Sequence, residues 1–437
     1  MRFRPRFGSS LKWLIPGMGV KRWLLLLFAG ITIVSLGVGY VLVDIYRTWT
    51  FPVLFYYLTL QFIPRALRGL LFGTVGIAAI TIAILQLNRS LLAAFRSPGQ
   101  SSLVDIIYNH RHRIRGPKVV AIGGGTGLSV LLRGLKEHTE NITAIVTVAD
   151  DGGSSGRLRR DLGLLPPGDF RNCIAALADE ESPTARLFQY RFGKGVGLNG
   201  HTFGNLFIAA MAAVTGNFER AILESSQVLN IRGRILPSTL ENVTLWADLQ
   251  EDDEEVAGPG QVQGESEIPK SGKPIERVFL EPGKVPAYPG AIKAILEADL
   301  ITAGPGSLYT SIMPNLLVPG IASALRASPA MKVYISNIAT QEGETDHFSL
   351  DDHLRALEVH VGQGMFTYVL ANDNLKVQFP HHLKVEVVSL ETVELEGYQF
   401  VTADLVDLEN PWQHDPKRLA EELMNLYWTV RTKAAGD

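Results

Sequence analysis

Cysteine is almost absent from this sequence, because Cys173 is the single cysteine among 437 residues. One thiol excludes an internal disulfide and a cysteine-rich metal site, and it fits a reducing compartment. The chain also lacks a Walker A lysine loop and an HExxH pair, which mark P-loop nucleotide hydrolases and many zinc proteases. Any chemistry must therefore come from other residues.

Acidic residues are scarce near the N-terminus, and basic residues are outnumbered in the rest of the chain. Residues 1–115 contain 14 Lys and Arg against 2 Asp and Glu, whereas residues 116–437 contain 27 against 42. Contacts to nucleic-acid phosphates need clustered Lys and Arg, so we expect no nucleic-acid binding by the acidic body. The apolar content of 46% excludes wholesale disorder and allows one large α/β domain or two smaller ones.

Charge is missing altogether from two long apolar runs, residues 23–43 and 69–87. About 20 apolar residues are enough for a helix to cross a bilayer, so we predict two transmembrane helices. A buried soluble helix would normally keep a polar face. A secretory signal would be shorter, and the second span argues for an anchor.

Flanking charges predict the orientation of the spans. Basic residues dominate the N-terminus, residues 1–22, and the juxtamembrane linker, residues 88–117. By the positive-inside rule, both termini and the main domain, residues 118–437, are cytoplasmic, with the basic flanks against the inner leaflet. Residues 44–68 are predicted to form an external interfacial loop, and a third, broken span is the alternative. The aromatic residues placed at headgroup level are Trp49, Tyr56 and Tyr57.

Short apolar runs alternate with amphipathic stretches in the main domain. The patterns typical of buried strands are residues 118–122, 142–149, 300–303 and 332–336. With a helical pattern at 128–138, this alternation predicts an α/β fold built on a doubly wound, mostly parallel sheet. Residues 205–214 and 218–229 are predicted to form a helical insert, and residues 251–273 an exposed loop or hairpin.

Two glycine-rich loops each follow a predicted strand and precede a helix. Glycines let the backbone approach a phosphate closely, and a helix N-terminus offers free N–H groups. The first loop departs from GxGxxG at Leu128, and a tight turn without a ligand is the alternative. Together the loops would enclose a diphosphate or a nucleotide with a sugar. Their candidate ligand-binding residues are Gly124, Gly125, Thr126, Gly127, Gly304, Gly306 and Ser307.

Asp150 and Asp151 follow the second predicted strand, and Ser154 comes soon after them. In open α/β sheets, ligands lie beyond the carboxyl ends of the strands. One carboxylate could accept ribose hydroxyls, or Asp150 and Asp151 together could hold Mg²⁺ with a ligand phosphate. Capping of a helix by one Asp, with the other solvated, is the alternative.

Other polar residues are candidates for ligand binding at the same edge of the sheet. The loop at residues 166–172 is fixed by prolines and a glycine, and it presents Asp169, Arg171 and Asn172. Arg171 could clamp a phosphate, although a surface turn explains the segment equally well. His201 precedes an apolar helix and is more often structural than catalytic in such a place, whereas Asn205 caps the helix or reaches a ligand. The candidates after the strand at 332–336 are Asn337, Thr340 and Glu344.

These motifs together resemble the gluconeogenesis-factor (YvcK-type) family, within the 2-phospho-L-lactate transferase (CofD-like) superfamily. The resemblance runs from Lys118 to about Asn372. It is carried by AIGGGTGLSVLLRGLK, AIVTVADDGGSSGRLR, PPGDFRN, GHTFGNL, VLNIRGRILPST, GPGSLYTSIMPNLLVPGI and ISNIATQEGETDHFSLDDHL. It implies a Rossmann-like sheet with a helical insert, in agreement with the pattern.

The resemblance implies two functions. The gluconeogenesis-factor branch binds UDP-sugars, notably UDP-N-acetylglucosamine, and is associated with cell shape and wall synthesis; the motif strings look like this branch. The transferase branch moves a phospholactyl-type group from a nucleotide-activated donor to a deazaflavin alcohol with magnesium. By resemblance, the nucleotide would be surrounded by Gly124, Gly125, Thr126, Asp150, Asp151, Asp169, Arg171, Asn172, His201, Asn205, Gly306, Ser307 and Tyr309.

The chain departs from the family in two respects. Typical members are soluble and begin near the first glycine loop, whereas two predicted spans precede it here. The resemblance also fades after Asn372. We therefore expect a membrane-tethered UDP-sugar-binding regulator of carbon flow into the cell wall, with cell-wall synthesis proteins as partners and a homo-oligomer left open. A magnesium-dependent transferase is the alternative, and a dinucleotide-dependent oxidoreductase fits less well without the third glycine.

Overall fold

The computed structural model divides the chain into two units, residues 1–111 and 112–437. The residues described within them are 20–48, 52–93, 113, 116–178, 183–195, 197–250, 260–380, 382–390 and 397–434.

The first unit contains helices α1 (Val20–Thr48), α2 (Val53–Leu58) and α3 (Arg65–Ala93). Both α1 and α3 are long and apolar enough to cross a membrane, so the two predicted spans coincide with two candidate membrane helices. Each helix continues past the charge-free run at both ends. Tyr56 and Tyr57 lie on α2 with their ring centroids 5.5 Å apart, and Trp49 lies outside the described residues.

The second unit is built on a seven-stranded sheet in which every pairing is parallel. Its order is β10-β9-β8-β7-β1-β2-β3. The strands are β1 (Val119–Gly123), β2 (Ile142–Val146), β3 (Arg234–Pro237), β7 (Leu300–Ala303), β8 (Met331–Ile335), β9 (Tyr368–Asn372) and β10 (Gln399–Ala403). The strands at the centre of the sheet are buried, as expected where helices cover both faces. The predicted doubly wound α/β fold is confirmed.

The crossover helices occupy the stretches between these strands. In chain order they are α4 (Gly125–Leu135), α5 (Gly153–Leu162), α6 (Gly168–Leu177), α7 (Pro183–Gln189), α8 (Phe203–Thr215), α9 (Phe218–Val228), α10 (Pro289–Leu296), α11 (Met313–Leu316), α12 (Pro319–Ala327), α13 (Leu350–Val361) and α14 (Pro416–Ala434). A π-helical turn, Leu308–Ile312, leads into α11. The predicted helical insert corresponds to α8 and α9, and the structure adds α5, α6 and α7 to it.

A small antiparallel sheet packs against α11 and α13, with the order β5-β4-β6. Its strands are β4 (Thr244–Leu249), β5 (Gly260–Gln263) and β6 (Ile275–Glu281). The segment predicted as a loop or hairpin therefore includes a strand, and its residues 251–259 lie outside the described part. The short chain between β5 and β6 reaches the loop after β2, since the Ser266 amide donates to Asp151 Oδ1 over 2.9 Å.

Candidate functional site

The two glycine loops leave the sheet from neighbouring strands. β1 and β7 run parallel, with Ile122 opposite Ala303, so both loops begin at the same edge. A Cβ atom on Gly127 would lie 2.4 Å from the Pro305 carbonyl oxygen and 2.8 Å from Gly306 Cα. The loops are therefore in direct backbone contact, and only glycine fits at position 127.

A cavity of 330 Å³ opens beside this contact. Six of the predicted residues line it, namely Thr126, Gly127, Gly306, Ser307, Asn337 and Thr340. Thr126 and Ser307 come from different crossover points of the sheet and meet at this one cavity. An adjoining cavity of 460 Å³ shares Thr340 and Glu342 with it, which extends the concave surface along the segment 340–347.

Two of the loop amides are already hydrogen-bonded within the protein. The Gly125 amide donates to the Asp169 carboxylate. The Gly306 amide donates to Asn337 Oδ1 over 3.1 Å, and Asn337 Nδ2 donates back to the Gly306 carbonyl over 3.0 Å. A ligand phosphate would reach these two amides only if the Asp169 and Asn337 side chains moved, so Thr126, Gly127 and Ser307 are the better placed loop residues.

The C-terminal part of the chain supplies a wall of the cavity that the sequence interpretation missed. The lining includes Trp412, Gln413 and His414. His414 is 5% exposed, its Nε2 has no hydrogen-bond partner among the described residues, and burial lowers the pKa of its imidazole to about 4. The ring is therefore neutral at neutral pH. A Trp-Gln-His run just before the last helix was the available sequence signal.

Asp150 and Asp151 face different partners. Asp150 Oδ1 accepts the Gly152 amide over 2.9 Å, whereas Asp151 Oδ1 accepts the amide of Ser266. Each carboxylate therefore has one oxygen that is already hydrogen-bonded to a backbone amide. In the part of the chain that the structure describes, no group of three or more His, Cys, Asp or Glu side chains is arranged to hold a metal ion.

Buried carboxyl groups surround the Asp150 side chain. Burial, followed by the charge of Asp150, raises the pKa of Asp169 to about 7 and that of Glu265 to about 9. Burial also raises the pKa of Glu344 to about 7, and its Oε1 accepts the Thr310 hydroxyl over 2.8 Å. Glu344 was among the residues that the sequence predicts at this edge of the sheet. Sequence interpretation missed Glu265, because it stands in no recognisable motif and reaches the site only through the fold.

The remaining predicted residues lie outside the lining of the cavity. Ser154 Oγ is 2.9 Å from His201 Nδ1 and accepts Asn205 Nδ2 over 3.0 Å. These three side chains form one buried network at the start of α8. Residues 152–156 also fit the GxSxG spacing, but Ser154 lies in the first turn of α5 and not in a sharp strand-to-helix elbow.

Four further candidates have structural partners. One Arg171 Nη donates to Asn172 Oδ1 over 2.6 Å. Tyr309 is buried, with its ring edge-on to His360 at 5.8 Å, and burial raises the pKa of its hydroxyl to about 12. Gly304 lies directly against Ile335, where a Cβ would come within 2.6 Å of the carbonyl oxygen. Some of the predicted residues therefore line the cavity, and the others lie around it.

The parallel sheet, the paired glycine loops and the cavity at the carboxyl ends of the strands define a Rossmann-like α/β protein with a small-molecule site at its crossover edge. Residues 119–408 match the family model described as "2-phospho-L-lactate transferase CofD". The chain belongs to this family, and the resemblance drawn from the motifs is confirmed.

Relatives of two lengths are similar to the chain. The "Putative gluconeogenesis factor" of Nostoc sp. is 43% identical over 433 residues, which cover 97% of this chain and 93% of the relative. The "Gluconeogenesis factor" of Bacillus subtilis is 48% identical over 318 residues, covering 71% of this chain and 98% of the relative. The crystal structure of a UPF0052 family member from Bacillus halodurans is 44% identical, with a TM-score of 0.66, and covers 71% of this chain and 99% of that chain.

The comparisons correct two expectations drawn from the sequence. The resemblance does not stop at Asn372, because the family model continues to residue 408 and the sheet continues to β10. The N-terminal extension is not peculiar to this chain, since the alignment with the Nostoc relative covers almost all of it. The shorter relatives correspond to the second unit alone.

Proposed function

We propose that the second unit binds a UDP-sugar, of the UDP-N-acetylglucosamine type, in the 330 Å³ cavity. The observation that carries this proposal is the meeting of Thr126 and Ser307, from the loops after β1 and β7, at one cavity. Its volume lies within the range of about 300–1,000 Å³ typical of small-molecule sites. Loop amides and hydroxyls would contact the pyrophosphate, because helix N-termini favour negative charge.

The wall formed by Trp412, Gln413 and His414 supports an extended ligand with both flat and polar parts. An aromatic ring packs against a base or the apolar face of a sugar, and an amide recognises a ring or sugar by hydrogen bonds. The neutral His414 adds an unpaired ring nitrogen without placing a further charge in the cavity. The adjoining cavity of 460 Å³ provides room for the sugar end of the ligand.

We further propose that ligand binding regulates the flow of carbon into cell-wall synthesis and cell shape. The names of the relatives, "gluconeogenesis factor", and the two candidate membrane helices support this role. The spans would tether the second unit to the cytoplasmic face of the inner membrane, close to proteins of wall synthesis. Positive charge on both flanks of the spans supports that orientation.

Calorimetry with UDP-N-acetylglucosamine tests the proposed ligand. The experiment uses residues 116–437, because the solved relative corresponds to this part alone, and it is run with and without magnesium. Asn337→Asp places a negative charge at Gly306 and removes a donor, so we expect binding to weaken by at least about tenfold. Asn217→Asp makes the same change at the N-cap of α9, where Asp caps equally well, and should bind normally. Absence of saturable binding to the unaltered protein would reject the proposal.

A second function is favoured by the family model, whose description names a transferase. In this alternative, a phospholactyl-type group moves from a nucleotide-activated donor to a deazaflavin alcohol. Asp169, with its pKa raised to about 7, is a carboxyl group that could exchange a proton near neutral pH. Incubation with donor and acceptor distinguishes the two functions, since product formation supports only the transferase.

A further inference from the structure

The first turn of α8 contains buried polar atoms that have no partner among the described residues. Thr202 is the N-cap residue, yet its side chain makes no capping hydrogen bond. Its Oγ1, Asn205 Oδ1 and Arg171 Nε are all buried and unpaired, and the three residues are 1%, 3% and 8% exposed. Buried polar atoms are nearly always paired in proteins, so the two unpaired donors, the Thr202 hydroxyl and Arg171 Nε, point to a missing acceptor. Asn205 Oδ1 is itself an acceptor, which a protonated phosphate oxygen can satisfy.

These atoms belong to one location. A Cβ on Gly204, which stands between Thr202 and Asn205, would lie 2.7 Å from Arg171 Cγ. The Arg171 side chain therefore crosses the first turn of the helix. The network of Ser154 with His201 and Asn205 closes the other side. α8 has 13 residues, and its N-terminus carries partial positive charge. The Phe203 amide donates to the Tyr190 carbonyl over 2.8 Å, so the amides left for a ligand in the first turn are those of Gly204 and Asn205.

The charges around this turn favour an anion. The charge of Arg191 lowers the pKa of Arg171, after burial, so the two guanidinium groups are close. Arg191 donates to the Gly200 carbonyl over 2.7 Å, and Arg157 donates to the Asn199 carbonyl over 2.9 Å. Among the described residues, none of these three arginines forms an ion pair within 4.0 Å of a carboxylate.

Two carboxyl groups limit the size of the anion. Asp169 and Asp150 both raise the pKa of Arg171, so negative charge is also present near its guanidinium group. We therefore expect a small anion with a single phosphate or carboxylate group, because a longer polyanion would be repelled by these carboxyl groups.

We propose that Arg171, Thr202 and the first turn of α8 bind a phosphate or carboxylate group, at a site separate from the 330 Å³ cavity. None of the residues of this site lines that cavity. The Arg171 Nε and the Thr202 hydroxyl donate to the anion, together with the Gly204 and Asn205 amides. The site would hold a second, small anionic ligand beside the nucleotide-sugar, and it does not depend on the proposed function.

Titration of residues 116–437 with inorganic phosphate tests this site, with calorimetry and the phosphate-dependent rise in Tm as readouts. Thr202→Val keeps the side-chain shape and removes a hydroxyl that makes no hydrogen bond, so folding should be unaffected. We expect phosphate to bind about tenfold more weakly. Arg171→Lys, which keeps the charge but loses Nε, should weaken binding at least as much.

Thr302→Val is the matched control. Thr302 is 0% exposed and its Oγ1 is also unpaired, but it lies in β7 away from α8. This variant should bind phosphate as the unaltered protein does. No saturable phosphate binding up to about 10 mM, far weaker than most functional anion sites, or equal losses in Thr202→Val and Thr302→Val, would overturn the proposal.

A second titration identifies the source of the anion. With UDP-N-acetylglucosamine at saturation, the phosphate affinity should be unchanged if the site serves a separate ligand. Competition between the two would show that the turn receives the pyrophosphate of the nucleotide-sugar, and it would overturn the separate site. Failure of the nucleotide-sugar to bind leaves the phosphate titration intact, so the two proposals can fail independently.

Discussion

Two polar regions at the carboxyl edge of the sheet are built in opposite ways. The 330 Å³ cavity is lined mostly by loop backbone and uncharged side chains such as Thr126, Ser307 and Asn337, together with Glu342. The neighbouring carboxyl cluster consists of Asp150, Asp169 and Glu265, whose pKa values are all raised by burial. The first region presents mainly fixed dipoles, whereas the carboxyl groups of the second repel one another when ionised, and protonation lowers that repulsion.

This difference indicates which groups at the carboxyl edge of the sheet are available for direct contact with a ligand. The Asp169 carboxylate lies between the regions, because it accepts the Gly125 amide and is close to Asp150. It therefore holds part of the glycine loop in place.

Substitution of Gly127 by alanine should disrupt the cavity most strongly. The new Cβ would lie 2.4 Å from the Pro305 carbonyl oxygen, and backbone atoms cannot move as side chains do. We expect a loss of about 3 kcal/mol in the free energy of unfolding and loss of nucleotide-sugar binding. Denaturant unfolding and calorimetry measure the two effects. Gly193→Ala is the control, since nothing lies within 4 Å of its Cβ position.

Glu265 should make the stability of the second unit depend on pH. Its pKa rises from 4.5 to about 9 in the folded state, so the folded protein keeps a proton that the unfolded chain releases. The contribution of Glu265 to the free energy of unfolding is therefore greatest below about pH 4.5, and it falls as the pH rises toward 9. Glu265→Gln should flatten this fall by about 2 kcal/mol. Urea unfolding at pH 5 and pH 9 measures the difference, and parallel curves for the two proteins would contradict it.

Asp169→Asn should produce a similar change over a lower pH range. Folding raises the pKa of Asp169 from 3.8 to about 7. Its contribution to stability therefore falls as the pH rises from 3.8 to about 7, and it is constant above that pH. The asparagine oxygen can still accept the Gly125 amide. We expect the variant to be more stable than the original by about 1 kcal/mol at pH 8. Equal stabilities at pH 8 and pH 4 would argue against a raised pKa at this position.

Asp151→Asn should have the smallest effect. The Asp151 carboxylate accepts the Ser266 amide, and an asparagine oxygen can do the same, so stability should change by less than about 0.5 kcal/mol. If magnesium assists binding through Asp151, the magnesium dependence of nucleotide-sugar affinity should disappear in the variant. Calorimetry with and without magnesium measures it, and an unaltered dependence would exclude Asp151 as a metal ligand.

Several features of the fold could be predicted because they depend on local pattern. The strand at 300–303 was predicted with the bounds that the structure shows, since a buried parallel strand is a continuous apolar run. The helix after the first glycine loop begins at Gly125 and not at Leu128. That difference arises because the loop glycines themselves form the first helical turn, which hydrophobic periodicity does not detect.

The candidate site was harder to predict than the fold. Six of the predicted residues line the cavity, but His201 and Asn205 belong to the network around Ser154. The family motifs identify which residues stand at the carboxyl edge of the sheet, yet they do not divide that edge into separate sites. The division depends on the direction of each side chain, which the packing of α5, α6 and α8 decides.

The sequence by itself determined the elements whose cause is local: two charge-free runs long enough to span a bilayer, the alternation of strands and helices, and glycines at strand ends. Tertiary structure alone decided that Glu265 meets Asp150, that His414 closes the cavity, and that Asp169 holds the Gly125 amide. Each of these contacts joins residues far apart in the chain. They arise from strand order and crossover packing, which no short segment encodes.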